Sequence, residues 1–172
     1  MFSGSSSGVP EVYKRAAAEL GETIALAGKT MVYGGSRRGL MGLCADAALS
    51  AGGNVIGVIP NHLQELEVEH RGLTELHVVD DMHVRKRMMV DLSDALVVLP
   101  GGFGTLDEAF EAITWKQLGL HDKPIVIVNI EGYWDDMLAL VEKVVESGFA
   151  HEASKSLFAV VTRADQVLDA IC

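Results

Sequence analysis

The sequence predicts an α/β protein: a doubly wound, Rossmann-like, mainly parallel sheet flanked by helices and folded as a single domain. Three observations carry that expectation. Short apolar runs alternate with longer segments of helical period along the whole chain. Most of the strand runs, such as Leu96 to Leu99, are continuously apolar rather than alternating, the pattern of strands buried on both faces. Glycine-containing turns follow Phe2, Tyr33 and Leu99, all opening at the carboxyl ends of strands, where ligands of such sheets bind.

The elements follow in chain order. Ser3 to Gly8 reads SGSSSG, which by itself resembles a flexible low-complexity segment. Pro10 to Ala27 is expected to be an amphipathic helix, with Val12, Ala16, Leu20 and Ile24 near the helical period, Pro10 in the first turn and Gly28 closing it. Thr30 to Tyr33 is a short strand, Gly34 to Gly39 a turn, and a helix runs on through Ala51. Arg37 and Arg38 in that turn fit a ligand site or plain solvated charge equally well. Asn54 to Ile59 is a strand stopped by Pro60, and Asn61 to Gly72 is polar and irregular, with Glu65, Glu67 and Glu69 close together. Glu75 to Val79 is a strand and Met82 to Ser93 a helix, apolar on much of its surface yet carrying Arg85, Lys86 and Arg87. Pro124 to Val128, Gly132 to Ser147, Leu157 to Val161 and Ala164 to Ile171 complete the alternation as strand, helix, strand and helix.

Leu96 to Glu111, LVVLPGGFGTLDEAFE, is the stretch with most chemistry in it. A buried strand ends at Pro100-Gly101-Gly102, and after Gly104 the apolar positions Leu106, Ala109, Phe110 and Ile113 take up the helical spacing. Strand, glycine turn and helix start together make an anion site. The first N–H groups of a helix lack internal partners, the helix dipole favours negative charge, and glycines admit a close ligand. A ligand-free reading of Thr105 and Glu108 is a Thr-x-x-Glu capping box. That reading leaves the three glycines at 101, 102 and 104 unexplained.

Composition narrows the classes. With 172 residues, 49% of them hydrophobic and 22% charged, the chain suits one globular domain rather than a disordered segment. A net charge of −10 argues against a nucleic-acid partner but not against a small phosphorylated ligand, because local charge decides that. Cys44 and Cys172 form no metal or redox spacing, so no metal is expected and a reducing cytoplasm is the default location. No apolar run approaches the roughly 20 residues of a membrane span, and no signal peptide is recognised at the start.

The segment PGGFGTLDE (Pro100 to Glu108) matches a PGGxGTxxE motif, and with YGGSRRGLMG (Tyr33 to Gly42), DMHVRK (Asp81 to Lys86) and ITWKQLGLHDKP (Ile113 to Pro124) it resembles the Lonely Guy (LOG) family over nearly the whole chain. These are cytokinin riboside 5′-monophosphate phosphoribohydrolases, many once labelled lysine decarboxylases. The resemblance implies a nucleotide-binding domain over residues 1–172 and hydrolysis of N6-substituted AMP, or AMP, to free base and ribose 5-phosphate. It also implies no cofactor, a cytoplasmic location and a homodimer. Arg85 and Glu108 take the family's essential arginine and glutamate positions, and Glu67, Arg85, Lys86, Gly102, Phe103, Gly104, Thr105, Leu106, Asp107, Glu108 and Thr114 its substrate-binding positions. Two departures stand out: Ser36 replaces a glycine in the second turn, and the strand before Ser3 is almost absent, so either a truncated first strand or missing upstream residues are expected.

Three other classes were weighed. A nicotinamide dehydrogenase wants G-x-G-x-x-G in the first unit, which is not there. A pyridoxal-phosphate decarboxylase needs a Schiff-base lysine and, in a chain of this size, lacks a second domain. A non-catalytic nucleotide or cofactor carrier fits the glycine turns as well as the hydrolase does; the pairing of Arg85 with Glu108 favours the hydrolase.

Overall fold

The four pairings between named strands are parallel, and the sheet is assembled in two halves. The computed structural model describes residues 1–64 and 69–171. In one half β1 (Thr30–Tyr33), β2 (Asn54–Pro60) and β3 (Glu75–Val79) lie in that order; in the other β4 (Leu96–Val98), β5 (Ile125–Val128) and β6 (Ala159–Val161) do. Residues 1 and 2 stitch the halves together. The Met1 nitrogen donates to the Val32 carbonyl at 2.6 Å, the Phe2 N–H to Val97 at 2.8 Å, and Leu99 returns its N–H to Phe2 at 2.9 Å. Only Phe2 forms a ladder bridge, to Val98, so what stands in place of a first strand is a two-residue link.

Helices cover both faces, as continuously apolar strands require. Alternate residues of each strand point to opposite sides. Met31, Tyr33, Val97, Leu99, Val126 and Val128 belong to a core shared with α1 (Glu11–Leu26), α2 (Gly39–Ser50) and α6 (Val167–Ala170). Val32, Leu96, Val98, Ile125 and Ile127 belong to a second, shared with α3 (Met82–Asp91), α4 (Phe103–Gln117) and α5 (Asp135–Glu146).

Several boundaries differ from the sequence reading: the last strand, expected from Leu157, starts at Ala159 after a 3-10 turn over Glu152–Leu157, and the closing helix, expected from Ala164, is a 3-10 turn followed by α6. Helix α4 begins at Phe103, before the position at which the apolar period starts, with Gly102 as its extended N-cap. The helix expected from Gly132 starts at Asp135 instead. Asn129 sets that start: its Oδ1 accepts the Trp134 N–H at 2.7 Å and its Nδ2 donates to Asp135 Oδ1 at 2.8 Å, while Glu131 turns the chain with φ of 50°.

Candidate active site

The three glycine turns meet at the carboxyl edge of the sheet. Gly4 donates its N–H to the Pro100 carbonyl at 3.1 Å and accepts from the Leu40 N–H at 3.0 Å, tying the first turn to the other two. Gly101 is packed into this junction: a Cβ there would lie 2.1 Å from Thr105 Oγ1 and 2.8 Å from the Gly4 nitrogen, so no larger residue fits. Gly102 and Gly104 are the opposite case, since a Cβ on either would meet nothing within 4 Å. The backbone there is bare and open on the side away from the protein.

Helix α4 starts at this open backbone without any side-chain cap. Its first internal bond is from the Leu106 N–H to the Gly102 carbonyl, 3.0 Å, which places Phe103, Gly104 and Thr105 at the three positions whose N–H groups have no helical acceptor. Thr105 is therefore the third helical residue and not the N-cap, and the capping box of Thr105 with Glu108 does not form. Glu108 sits one turn beyond Gly104 on the same helix, half-buried. Thr105 is 3% exposed, Leu106 half-buried, and Phe103 stands out from the surface at 93% exposure.

Helix α3 supplies the positive charge. Asp81 caps it, its Oδ1 accepting the N–H groups of His83 and Val84 at 2.8 and 2.9 Å. Of its three consecutive cations, two point inward and one outward. Arg85 is 4% exposed; its Nε donates to Val58 O at 3.0 Å and its Nη2 to Gly34 O at 2.6 Å. A Cβ on Gly34 would sit 2.2 Å from that Nη2, so glycine is what lets the guanidinium lie against the second turn. Lys86 is 7% exposed and reaches α4, with Nζ 2.9 Å from Asp107 Oδ2 and 3.0 Å from Glu111 Oε2. Burial pushes the Lys86 ammonium toward neutrality, but the two carboxylates outweigh it and hold its pKa above the ordinary lysine value. Arg87 is the solvated member, paired with Asp91 at 2.9 Å and lying 5.6 Å from the Trp115 ring.

The structure thus places Arg85 against the Gly34 turn, leaves the backbone open at Gly102 and Gly104, and sets Glu108 one helical turn beyond. It separates others of the expected set. Lys86 and Asp107 face each other in an ion pair between α3 and α4. Thr114 is nine residues past Thr105, about 13 Å along the helix axis, and its hydroxyl donates to Phe110 O at 2.7 Å. Glu67 lies outside the described residues. In the second turn, Ser36 replaces the family glycine without opening it: the residue is buried, and its Oγ accepts the Arg38 N–H at 3.1 Å.

Two residues of this neighbourhood escaped the sequence reading. Tyr133 donates its hydroxyl to the Gly101 carbonyl at 2.6 Å, bracing the turn from a segment with no local sign of that role. Glu111 completes the Lys86 pair; its signal was present, because Asp107 and Glu111 stand four apart on one helix and need a cation between them.

Comparison with known proteins places the chain. Residues 41–171 match the family described as possible lysine decarboxylase. A cytokinin riboside 5′-monophosphate phosphoribohydrolase of Arabidopsis thaliana is 43% identical over 168 residues, covering 98% of this chain and 79% of the relative. One from Rhodococcoides fascians is 46% identical over 157 residues, covering 91% of this chain and 79% of its own length. Among solved structures, the molybdenum cofactor binding protein of Rippkaea orientalis superimposes with a TM-score of 0.73 at 21% identity, over 96% of this chain and 90% of that one. The Moco carrier protein of Chlamydomonas reinhardtii does so with a TM-score of 0.72 at 23% identity, over 98% and 91%. These two share the fold. The sequence relatives and the matched family together show that the chain belongs to the LOG family of cytokinin riboside 5′-monophosphate phosphoribohydrolases, described collectively as possible lysine decarboxylases.

Proposed function

We propose that this chain, as one nucleotide-binding domain, hydrolyses the N-glycosidic bond of a nucleoside 5′-monophosphate, an N6-substituted AMP or AMP itself, to free base and ribose 5-phosphate. The observation that carries this reading is the start of α4: an uncapped helix N-terminus with open backbone at Gly102 and Gly104, and a carboxylate, Glu108, one turn further on. The 5′-phosphate rests on the N–H groups of Phe103, Gly104 and Thr105, where dipole and donors favour an anion. The ribose then extends toward Glu108.

As the C1′–N bond breaks, positive charge builds on the ribose. The Glu108 carboxylate stabilises that charge and takes a proton from the attacking water, whose oxygen bonds to C1′. The base keeps the electron pair of the broken bond and takes up the proton that water gave to Glu108, which restores the carboxylate. Arg85 holds the Gly34 turn through that carbonyl and is the cation assigned to the reacting site. Hydrolysis needs only water, so no cofactor is invoked.

Release of free adenine from AMP, followed chromatographically for the wild type and Glu108→Gln, tests the reading. The wild type is expected to release base and the variant to lose about 10²-fold or more of turnover on general-base precedent, with an unchanged melting curve. Nucleotide binding without any base release would instead favour a carrier. Adenosine is expected to be a far poorer substrate than AMP, since each lost charge-assisted hydrogen bond is worth about 1.5–3 kcal/mol. Equal turnover of the two would remove the phosphate cradle.

The assembly proposed is a cytoplasmic homodimer. Val84, Leu92, Phe103, Leu118 and Leu120, on or just beyond α3 and α4, are large apolar side chains left exposed. Light scattering that finds only monomer at micromolar concentration would refute it. Among the described residues, no helix is long and apolar enough to cross a membrane.

A further inference from the structure

We propose that Lys86 is a positioning residue rather than a phosphate ligand: its buried ammonium is clamped by Asp107 and Glu111 and so fixes helix α4, and with it Glu108, against helix α3. This rests on the proposed function for what Glu108 does, but not for the clamp itself.

Short backbone contacts join the two half-sheets. Residues 1 and 2 are the backbone link between β1 and β4, with a single ladder bridge. One half carries the Gly34 turn and the other the Gly102 turn; Gly4 ties their backbones together, so what remains to be set is the pose of α4 itself against the first half. Helix α3 does this with two adjacent residues. Arg85 grips the first half at the carbonyls of Val58 and Gly34, and Lys86 grips α4. Its side chain is 9% exposed, while its carboxylate partners are 59% and 26% exposed. An ammonium with two carboxylates at hydrogen-bonding distance is already neutralised, so little of its charge is left for a phosphate. Asp107 and Glu111 would repel each other across one helical turn without it. Glu108 lies between them in sequence, so any rotation or slide of α4 that follows loss of the clamp moves Glu108 directly.

The test is a double-mutant cycle on Lys86→Met and Glu111→Gln, reading AMP affinity by titration, base release, the inhibition or binding constant of inorganic phosphate, and melting. Phosphate alone needs only the start of α4, whereas AMP needs the spacing of both turns. Each single variant is expected to weaken AMP binding and turnover by roughly 10-fold or more, on the scale of an ångström of misplacement. The double variant should be no worse than the poorer single, and phosphate affinity should stay within about twofold of the wild type, a margin small against one hydrogen bond.

Three results would overturn the proposal. Loss of phosphate affinity in Lys86→Met but not in Glu111→Gln would make Lys86 a direct ligand. Additive effects in the double variant would mean the two do not act together. Losses that vanish when corrected for the folded fraction would leave only stability. Should Lys86→Met fail to fold, Lys86→Gln with Glu111→Gln gives the same cycle with a polar side chain in the buried position. If the wild type binds AMP but releases no base, the hydrolase reading falls, and the coupling in AMP affinity still decides the clamp.

Discussion

Exchanging Gly104 for alanine is expected to improve the fold while damaging the site. Gly104 is the second residue of a 15-residue helix and is not among the glycines with positive φ. Its Cβ position meets no atom within 4 Å. Alanine there relieves the backbone entropy of glycine without a clash, a gain of up to about 0.5–1 kcal/mol. For a chain of 172 residues that is a rise of roughly 2–4 °C in melting temperature at the upper end.

The same methyl occupies the space in which a phosphate oxygen would approach the helix start. Losing one charge-assisted hydrogen bond at about 1.5–3 kcal/mol weakens AMP binding roughly 10- to 100-fold. Gly101→Ala is the control with the opposite structural outcome. Its Cβ would be 2.1 Å from Thr105 Oγ1 and 2.6 Å from Thr105 Cβ, so the turn must open. Overpacking of this kind destabilises by about 1–3 kcal/mol. Scanning calorimetry and AMP titration on the two variants make the comparison. Wild-type AMP affinity in Gly104→Ala would refute the claim that this backbone touches the phosphate, whatever its melting temperature.

Other outcomes follow from the same geometry. Arg85→Ala leaves the carbonyls of Val58 and Gly34 without their buried donor, at about 1–3 kcal/mol each, so it should lower the chemical-denaturation midpoint as well as abolish turnover. Hydrogen bonds from the N–H of Val84 first, and then of His83, hold the Asp81 carboxyl below its ordinary value despite some desolvation. Because the folded value is the depressed one, its stabilisation is present above the unfolded carboxylate range and is lost as pH falls through the folded value. Melting temperature followed from pH 6 to pH 2 should therefore fall less steeply in Asp81→Asn than in the wild type; parallel curves would contradict this. Burial pushes the Cys44 thiol up to about 12, so in a Cys172→Ser background no thiol should react with a disulfide reagent at pH 8 until denaturant is added.

Local pattern determined a large part of this protein. The parallel, two-faced sheet follows from strands such as Ile125 to Val128 that are apolar at every position, because only a strand covered on both sides can afford that. The uncapped, glycine-lined helix start at Gly101 to Thr105 was legible for a similar reason: glycine, a strand end and a helix start have consequences that depend on neighbours in sequence. Even the exposed Arg87, set beside two cations of identical local appearance, follows the usual fate of a charge run.

What the tertiary structure alone decided is which groups face one another across the fold. The helical period starts at Leu106, yet α4 starts at Phe103, because a helix start is set by backbone hydrogen bonding, here the Leu106 N–H to the Gly102 carbonyl, and not by where the apolar spacing begins. Arg85 and Lys86 are adjacent and alike in charge, yet one binds carbonyls of the sheet and the other two acids of α4. Their directions differ because neighbouring residues on a helix point about 100° apart, and only the packing of α3 between the half-sheet and α4 says what lies in each direction. Tyr133 reaches Gly101 across 32 residues. Periodicity and spacing report the environment of a segment a few residues long. Pairings between segments that distant depend on how the chain closes in space, and no local pattern encodes them.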